Sequence, residues 1–309
     1  MNSTKQPDYF LVVKLIFGWM DLFLIIIGVI GNILIIIVTC QKKLRIFTTT
    51  FLISEAGWDI CVLISAGIRY FILAVYERDI RDKSLFLCKL QPFFSYFNKN
   101  ESAWTLIVLA IERYFILKYP LSARIKMLNW KHAGIILMVL LVLGAIKNFM
   151  LLLNILSDKR CLMITETSFI IFSYFDLVLY VLLPFLLVSI STICTLCLVH
   201  KQNLKVHQNT QDSSSHMLQM ILAISIYHFV SSIPIGLMTV ITSSKKFSKS
   251  NNNTAFLLIY EIATTFSISN NSIKFFLYIY SSAYFRKVLL RFIKNSIHWL
   301  KGFLLKINR

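Results

Sequence analysis

The sequence predicts an all-α membrane protein, a bundle of seven transmembrane helices followed by a short amphipathic helix lying on the membrane surface. Three observations lead there. Hydrophobic residues make up 57% of the 309 residues and charged residues only 15%, against roughly 45–50% and about 25% in an ordinary soluble domain. Mean hydropathy is +0.70. The charges lie between long apolar runs, and seven of these reach the roughly 20 residues that a helix needs to cross a bilayer. That composition excludes a disordered chain, a collagen and most soluble enzymes. Nine Gly and five Pro argue against a loop-rich all-β protein, and six Cys are too few for a disulfide scaffold. No run alternates with period two, so a β-barrel is not expected. A bilayer offers no partner to unpaired backbone groups outside a helix.

The runs fall, in order, at about 12–40, 47–75, 88–117, 132–156, 169–199, 217–242 and 255–280. Residues 1–11 are read as an extracellular N-terminus and 12–281 as the membrane domain. The opening MNSTKQPDYF has no basic segment before a short apolar core, so the first run is expected to serve as the insertion signal. An eighth stretch, about 282–305 within the tail 282–309, is apolar but basic. Phe285, Leu289, Phe292, Ile293, Ile297 and Leu300 recur there at helical spacing, and Arg286, Lys287, Arg291, Lys294 and Lys301 carry the other surface. Such a helix binds anionic membrane lipid. It accounts for much of the net charge of +18 without nucleic acid.

Basic residues orient the chain. With the N-terminus outside, the inner segments hold sixteen Lys/Arg. The outer segments hold eleven, counting Lys14 and Lys89 at the outer helix ends. The excess favours this orientation, at the plasma membrane. The sequons at Asn2 and Asn252 then lie outside, where glycosylation occurs. Cys88 opens the third run at its outer end and Cys161 lies in the outer loop after the fourth. Both face an oxidising compartment, where a disulfide can form. Cys40, Cys61, Cys194 and Cys197 are expected to be small buried hydrophobes.

Short motifs recur along these runs. Gly31-Asn32 lies in the first and Asp59, in LISEAGWD, in the second. Glu112-Arg113-Tyr114 sits in AIERYFILKYPL, 25 residues after Cys88. At 1.5 Å per residue that is roughly 37 Å, enough to put one residue at each membrane face. Pro184 and Pro234 lie in the fifth and sixth runs, and Asn270-Asn271-Ser272-Ile273-Lys274-Phe275-Phe276-Leu277-Tyr278 in the seventh. In order and spacing, over about residues 12–300, the chain resembles rhodopsin-like G-protein-coupled receptors, with their D/E-R-Y and N-S-x-x-N-P-x-x-Y motifs. The resemblance implies a Cys88–Cys161 bridge, an extracellular ligand and a heterotrimeric G protein as partner. It implies a coupling and switch role for Glu112, Arg113, Tyr114 and Tyr278. It also implies a mid-membrane polar cluster of Asn32, Glu55, Asp59, Ser102, Asn270 and Lys274. Counterparts of Asp59, Ser102 and Asn270 help hold a sodium ion in the family. Lys274 stands where the family has Asn, and its ammonium is expected to replace that ion by pairing with Asp59 or Glu55.

Other departures matter. Ser232 replaces the family's Trp in the sixth helix and Thr192 the Tyr of the fifth. Phe275 in place of Pro looks like invertebrate neuropeptide receptors of the FMRFamide-receptor-like kind. Ser95 stands where amine receptors carry Asp, so a monoamine lacks its counter-ion. Ile268 stands where opsins carry the retinal Lys, so no retinal cofactor is expected. Polar groups in the outer halves of membrane helices are functional candidates by default. Arg69, Ser95, Lys99, Asp176, Tyr180, Tyr260 and Glu261 lie at that depth. A pocket of both charge signs suits a peptide or a zwitterion, with Arg69 or Lys99 holding a carboxylate or carbonyl and Asp176 or Glu261 a ligand Arg.

A transporter is the alternative from another class, and a chemosensory receptor for small molecules one from the same class. Transporters tend to paired repeats and broken helices, and no such repeat is visible. The six histidines form no metal-ligand spacing and no G-x-S-x-G nucleophile motif occurs. Neither an enzyme, a metal nor a cofactor is therefore expected.

Overall fold

The computed structural model of the chain describes residues 8–41, 46–119, 129–157, 160–162, 165–203, 212–243, 254–281 and 285–295. The first rod is α1 (Asp8–Gln41). The second is α2 (Ile46–Val62), which runs through a π-helical turn, Leu63–Gly67, into α3 (Ile68–Tyr76). Glu77 ends it with a left-handed φ of 54°. After a 3-10 turn, Ile80–Lys83, comes the third rod, α4 (Leu85–Lys118), capped by the Ser84 hydroxyl. The fourth is α5 (Trp130–Asn148) with a 3-10 extension, Phe149–Leu153. A hairpin of β1 (Ile155–Ser157) and β2 (Arg160–Leu162) follows, with Leu156 opposite Cys161. The fifth rod is α6 (Glu166–Asp176), a second π-turn, Leu177–Leu182, and α7 (Leu183–Asn203). Then come α8 (Asp212–Ser243), α9 (Thr254–Ser281) and α10 (residues 285–295).

Because each π-turn is continuous helix, the described helices form seven rods and a short α10, as the apolar runs predict. The fourth run is the exception, since its last residues leave the helix for β1. Five rods are long and apolar enough to cross a membrane by length and composition. The two others, α4 and α9, have 34 and 28 residues, so composition rather than length sets them apart. They carry much of the polar interior. Ser95, Asn98, Asn100, Glu101, Ser102 and Glu112 of α4 are buried, as are Asn270, Asn271, Ser272 and Lys274 of α9. The outward faces are apolar, with Trp19, Phe23, Ile135, Met138 and Ile190 all exposed. This inside-out distribution is what a hydrocarbon surround requires.

The four free cysteines, Cys40, Cys61, Cys194 and Cys197, correct an expectation. All are exposed, because in a membrane bundle an outward position is as hydrophobic as the core.

Close approach of α1 and α9 is set by small residues. A methyl added at Gly31 would come within 2.8 Å of the Phe275 Cβ. One at Gly28 would come within 2.5 Å of the Ser272 hydroxyl. Across this seam the Asn32 amide donates to the Asn271 carbonyl (2.9 Å) and the Ser272 hydroxyl to the Leu24 carbonyl (2.8 Å). At one end of the bundle, Phe51, Leu106, Leu109 and Tyr278 pack with Phe285, Val288 and Leu289 of α10. Arg286, Lys287 and Arg291 stay exposed. So does Ile293, which the helical spacing had put on the apolar face; Ile297, Leu300 and Lys301 lie outside the described residues.

Candidate functional site

At the end of the bundle opposite α10, Cys88 and Cys161 form a disulfide that joins β2 to the first turn of α4. Two hydrogen bonds seat the hairpin. The Cys161 N–H donates to the Asp82 carboxylate (2.8 Å) and the Asn154 amide to the Cys88 carbonyl (3.3 Å). The hairpin thereby walls a chamber of about 530 Å³, together with Arg81, Tyr96, Glu166 and Phe169. A smaller cavity of about 170 Å³ shares Arg81, Pro92, Tyr96, Phe169 and Thr242 with it and reaches Arg69, Tyr70, Ser95, Lys99 and Tyr260. Grooves along the outward faces of α1 and α5 face the surroundings and are almost wholly apolar, with Lys131 the one charged residue of the α5 groove.

Four of the seven pocket candidates thus meet: Arg69, Ser95, Lys99 and Tyr260. The Arg69 guanidinium donates twice to Asp79, at 2.7 and 3.1 Å, and Arg81 donates to the same carboxylate at 2.7 Å. Partial burial pushes the Asp79 carboxyl up, but the two guanidinium groups outweigh it and hold it well below the usual carboxylate range. The Gln91 amide bonds both Ser95 (2.8 Å) and the Ser65 carbonyl (2.9 Å), tying α4 to the π-turn of the second rod.

The other three candidates are engaged elsewhere. Asp176 accepts from Lys147 of α5. Glu261 lies outside the cavity lining, within electrostatic reach of Lys14 on α1 and of Arg69. The Tyr180 hydroxyl accepts from Ser232 (3.4 Å), and its ring lies edge-on to His228 at 5.1 Å. The walls are therefore richer in cations than a balanced pocket. Asp79, Arg81, Gln91, Tyr70 and Tyr96 are members that sequence reasoning missed. Asp79 and Arg81 read as loop charges, and nothing in their spacing tied them to Arg69.

Midway along the bundle, the Lys274 ammonium lies 3.0 Å from Glu55, 2.8 Å from Asp59 and 3.2 Å from the Ser102 hydroxyl. Ser102 in turn donates to Asp59 (2.8 Å). These side chains are between 0% and 4% exposed for the three charged groups. An ammonium has three N–H donors, and here it has three acceptors. Glu55 and Asp59 are one turn apart on α2 and so face the same way. The sequence left Lys274 to choose between them; the structure gives it both. Asn270 and Asn32 stand outside this triad. The Asn270 amide bonds His228 Nδ1 (3.1 Å), leaving Nε2 to donate to the Tyr180 carbonyl (3.2 Å), the pattern of a neutral imidazole. Asn32 belongs to the α1–α9 seam.

At the α10 end, the Thr48 hydroxyl of α2 donates to Glu112. This gives Glu112 a partner on another helix. Arg113 lies near enough to Tyr278 to act on its hydroxyl electrostatically. The Tyr278 ring packs on Phe285 at 5.6 Å, so α9, α10 and α4 meet here. Tyr114 accepts a hydrogen bond from Lys118 (2.9 Å). Among the described residues no group of His, Cys, Asp and Glu could hold a metal ion.

Three relatives indicate the company this architecture keeps. The chain is 28% identical to the thyrotropin-releasing hormone receptor of Gallus gallus over 99 residues, 32% of this chain and 25% of that receptor. It is 26% identical to the substance-P receptor of Rattus norvegicus over 147 residues, 47% of this chain and 34% of that receptor. With the type-1 angiotensin II receptor of Meleagris gallopavo it shares 34% over 103 residues, 33% and 28% of the two chains. The matched stretches span only a quarter to a third of the length of these curated relatives. The family match is broader: the description "7 transmembrane receptor (rhodopsin family)" covers residues 31–278, from the Gly31 seam to Tyr278 and with the whole Lys274 triad between. On that breadth, this chain belongs to the rhodopsin family of seven-transmembrane receptors.

Proposed function

We propose that the chain is a plasma-membrane receptor that binds an extracellular ligand, a short peptide, and activates a heterotrimeric G protein. The observation that carries this reading is the arrangement along α4. A polar, aromatic-lined cavity opens under the disulfide-pinned hairpin, and Glu112-Arg113-Tyr114 stands about 25 residues away at the opposite end. Between them lies a buried charged triad. The matched relatives are receptors for thyrotropin-releasing hormone, substance P and angiotensin II, and a peptide suits the size and polarity of the two joined chambers.

In this reading residues 1–11 are extracellular, 12–281 form the receptor domain and 282–309 the interfacial helix and cytoplasmic tail. Asn2 and Asn252, which lie outside the described residues, face the extracellular side as glycosylation sites. Arg113 faces the cytosol with Glu112, Tyr114 and Tyr278. The exposed basic face of α10 meets anionic lipid. Phe275 supports a relation to FMRFamide-type receptors. An agonist acts by binding the active arrangement better than the resting one, which separates the inner helix ends around Arg113. The test is nucleotide exchange on G proteins in membranes bearing the chain, screened with peptides in free-acid and amidated form. Peptide-dependent exchange supports the reading; solute uptake without exchange would replace it with a transporter.

A further inference from the structure

Among the cations that line the inner cavity, Lys99 is set apart. Arg69 and Arg81 share Asp79. Asp176 is taken by Lys147, and both Glu55 and Asp59 by Lys274. Among the described residues, Lys99 has no carboxylate within ion-pair distance. The Tyr96 ring lies 5.9 Å from the ammonium. It lies 11 residues below Cys88 on α4, or roughly 16 Å into the bundle. A half-buried ammonium without a carboxylate partner is poorly compensated by a ring face.

We propose that Lys99 is the anchor for a carboxylate of the ligand, the group that enters deepest. The inference rests on the reading of this cavity as the ligand site and narrows it to a chemical class. About 170 Å³ holds a carboxylate and a small side chain, given some 30 Å³ per water displaced, but not a whole peptide, whose remainder occupies the chamber above. Lys99 acts as a point charge without a planar fork, so it accepts a terminal carboxylate or one from Asp or Glu. Arg69 and Arg81, already bonded to Asp79, keep the region positive and steer an anion toward it.

The probes are simple acids and their neutral twins, tested on the full chain in detergent by thermal unfolding. N-acetyl-L-phenylalanine carries a terminal carboxylate, N-acetyl-L-aspartic acid α-amide a side-chain carboxylate, and N-acetyl-L-phenylalaninamide neither. Stabilisation by either acid, about 3 °C at twenty times its dissociation constant, with none from the amide, is the expected result. The larger shift identifies the source of the carboxylate. The Lys99→Gln variant should lose the shift and Lys99→Arg should retain it. Equal shifts from acid and amide, no shift from either acid, or an undiminished shift in Lys99→Gln would overturn the proposal. The acid–amide comparison needs no variant, so it decides even if Lys99→Gln misfolds. No G protein enters the assay. A chain that binds the acid through Lys99 yet never promotes nucleotide exchange keeps this inference and loses the receptor reading.

Discussion

Removing the acids around Lys274 one at a time, and then together, should give a strongly non-additive result. At 3.0 Å and an effective dielectric of about 20, each carboxylate attracts the ammonium by roughly 5 kcal/mol. Desolvation and the mutual repulsion of the two acids offset most of this. Asp59→Asn leaves the ammonium with Glu55 and Ser102, and Glu55→Gln leaves it with Asp59. Each should therefore cost only about 1 kcal/mol. The double variant strands the ammonium in the bundle, which costs on the order of 3–5 kcal/mol, so the pair exceeds the sum of its parts by about 1–3 kcal/mol. Lys274→Met should cost as much, because it leaves two carboxylates facing each other. The measurement is the unfolding free energy of the detergent-solubilised chain, in sodium and in a large organic cation. The parent should be indifferent to sodium, since the ammonium already fills the place of a cation, and Lys274→Asn should gain a saturable sodium response. Additive losses at Glu55 and Asp59, a neutral Lys274→Met, or a saturable sodium effect on the parent would refute the reasoning.

Four further outcomes are expected. Cys88→Ser and Cys161→Ser should impair surface expression to a similar degree and the double variant no further, as a shared bond requires; thiol labelling at both sites in the intact chain would argue otherwise. Arg113→Ala should reduce nucleotide exchange on G proteins while leaving surface level intact, and normal exchange would remove its proposed role. The Asp79 carboxyl is held below its unfolded value, so its contribution to stability is present above about pH 4 and lost as pH falls further. Unfolding followed between pH 5 and pH 2 should show that loss in the parent and a flatter profile in Asp79→Asn. Gly31→Leu should push α1 from α9 and cost at least 1–3 kcal/mol, roughly the overpacking range, in the same unfolding assay.

The seven rods were legible because a bilayer demands about 20 apolar residues per crossing, and only a helix satisfies its own backbone there. The triad was half legible: a Lys at 274 and acids at 55 and 59 announce a charge problem, but not that one ammonium solves it with both. The pocket was least legible. Asp176 and Tyr180 fall just before and within the π-turn Leu177–Leu182. Both are buried, but they bond to Lys147 and Ser232 and do not line the cavity, and a sequence shows neither partner. Asp79 and Arg81 escaped notice because ion pairing between a loop and a helix leaves no periodic trace. The exposed cysteines were misjudged because apolar pattern cannot separate a lipid face from a core.

The bridge between Cys88 and Cys161 spans 73 residues and so closes a covalent ring that contains nearly all of α4 and the whole of α5. A single cut anywhere in the segment 119–129 opens that ring without dividing the molecule. On a denaturing gel the nicked chain should still migrate as one species, and only a reductant should separate its halves. The same ring shortens the unfolded chain's freedom by a loop-closure term of about 4 kcal/mol. A nick at 119–129 would abolish that term even though every helix remains intact. Limited proteolysis with and without reductant therefore reads, in one experiment, both the linkage and the share of stability that depends on an unbroken backbone between the third and fourth rods.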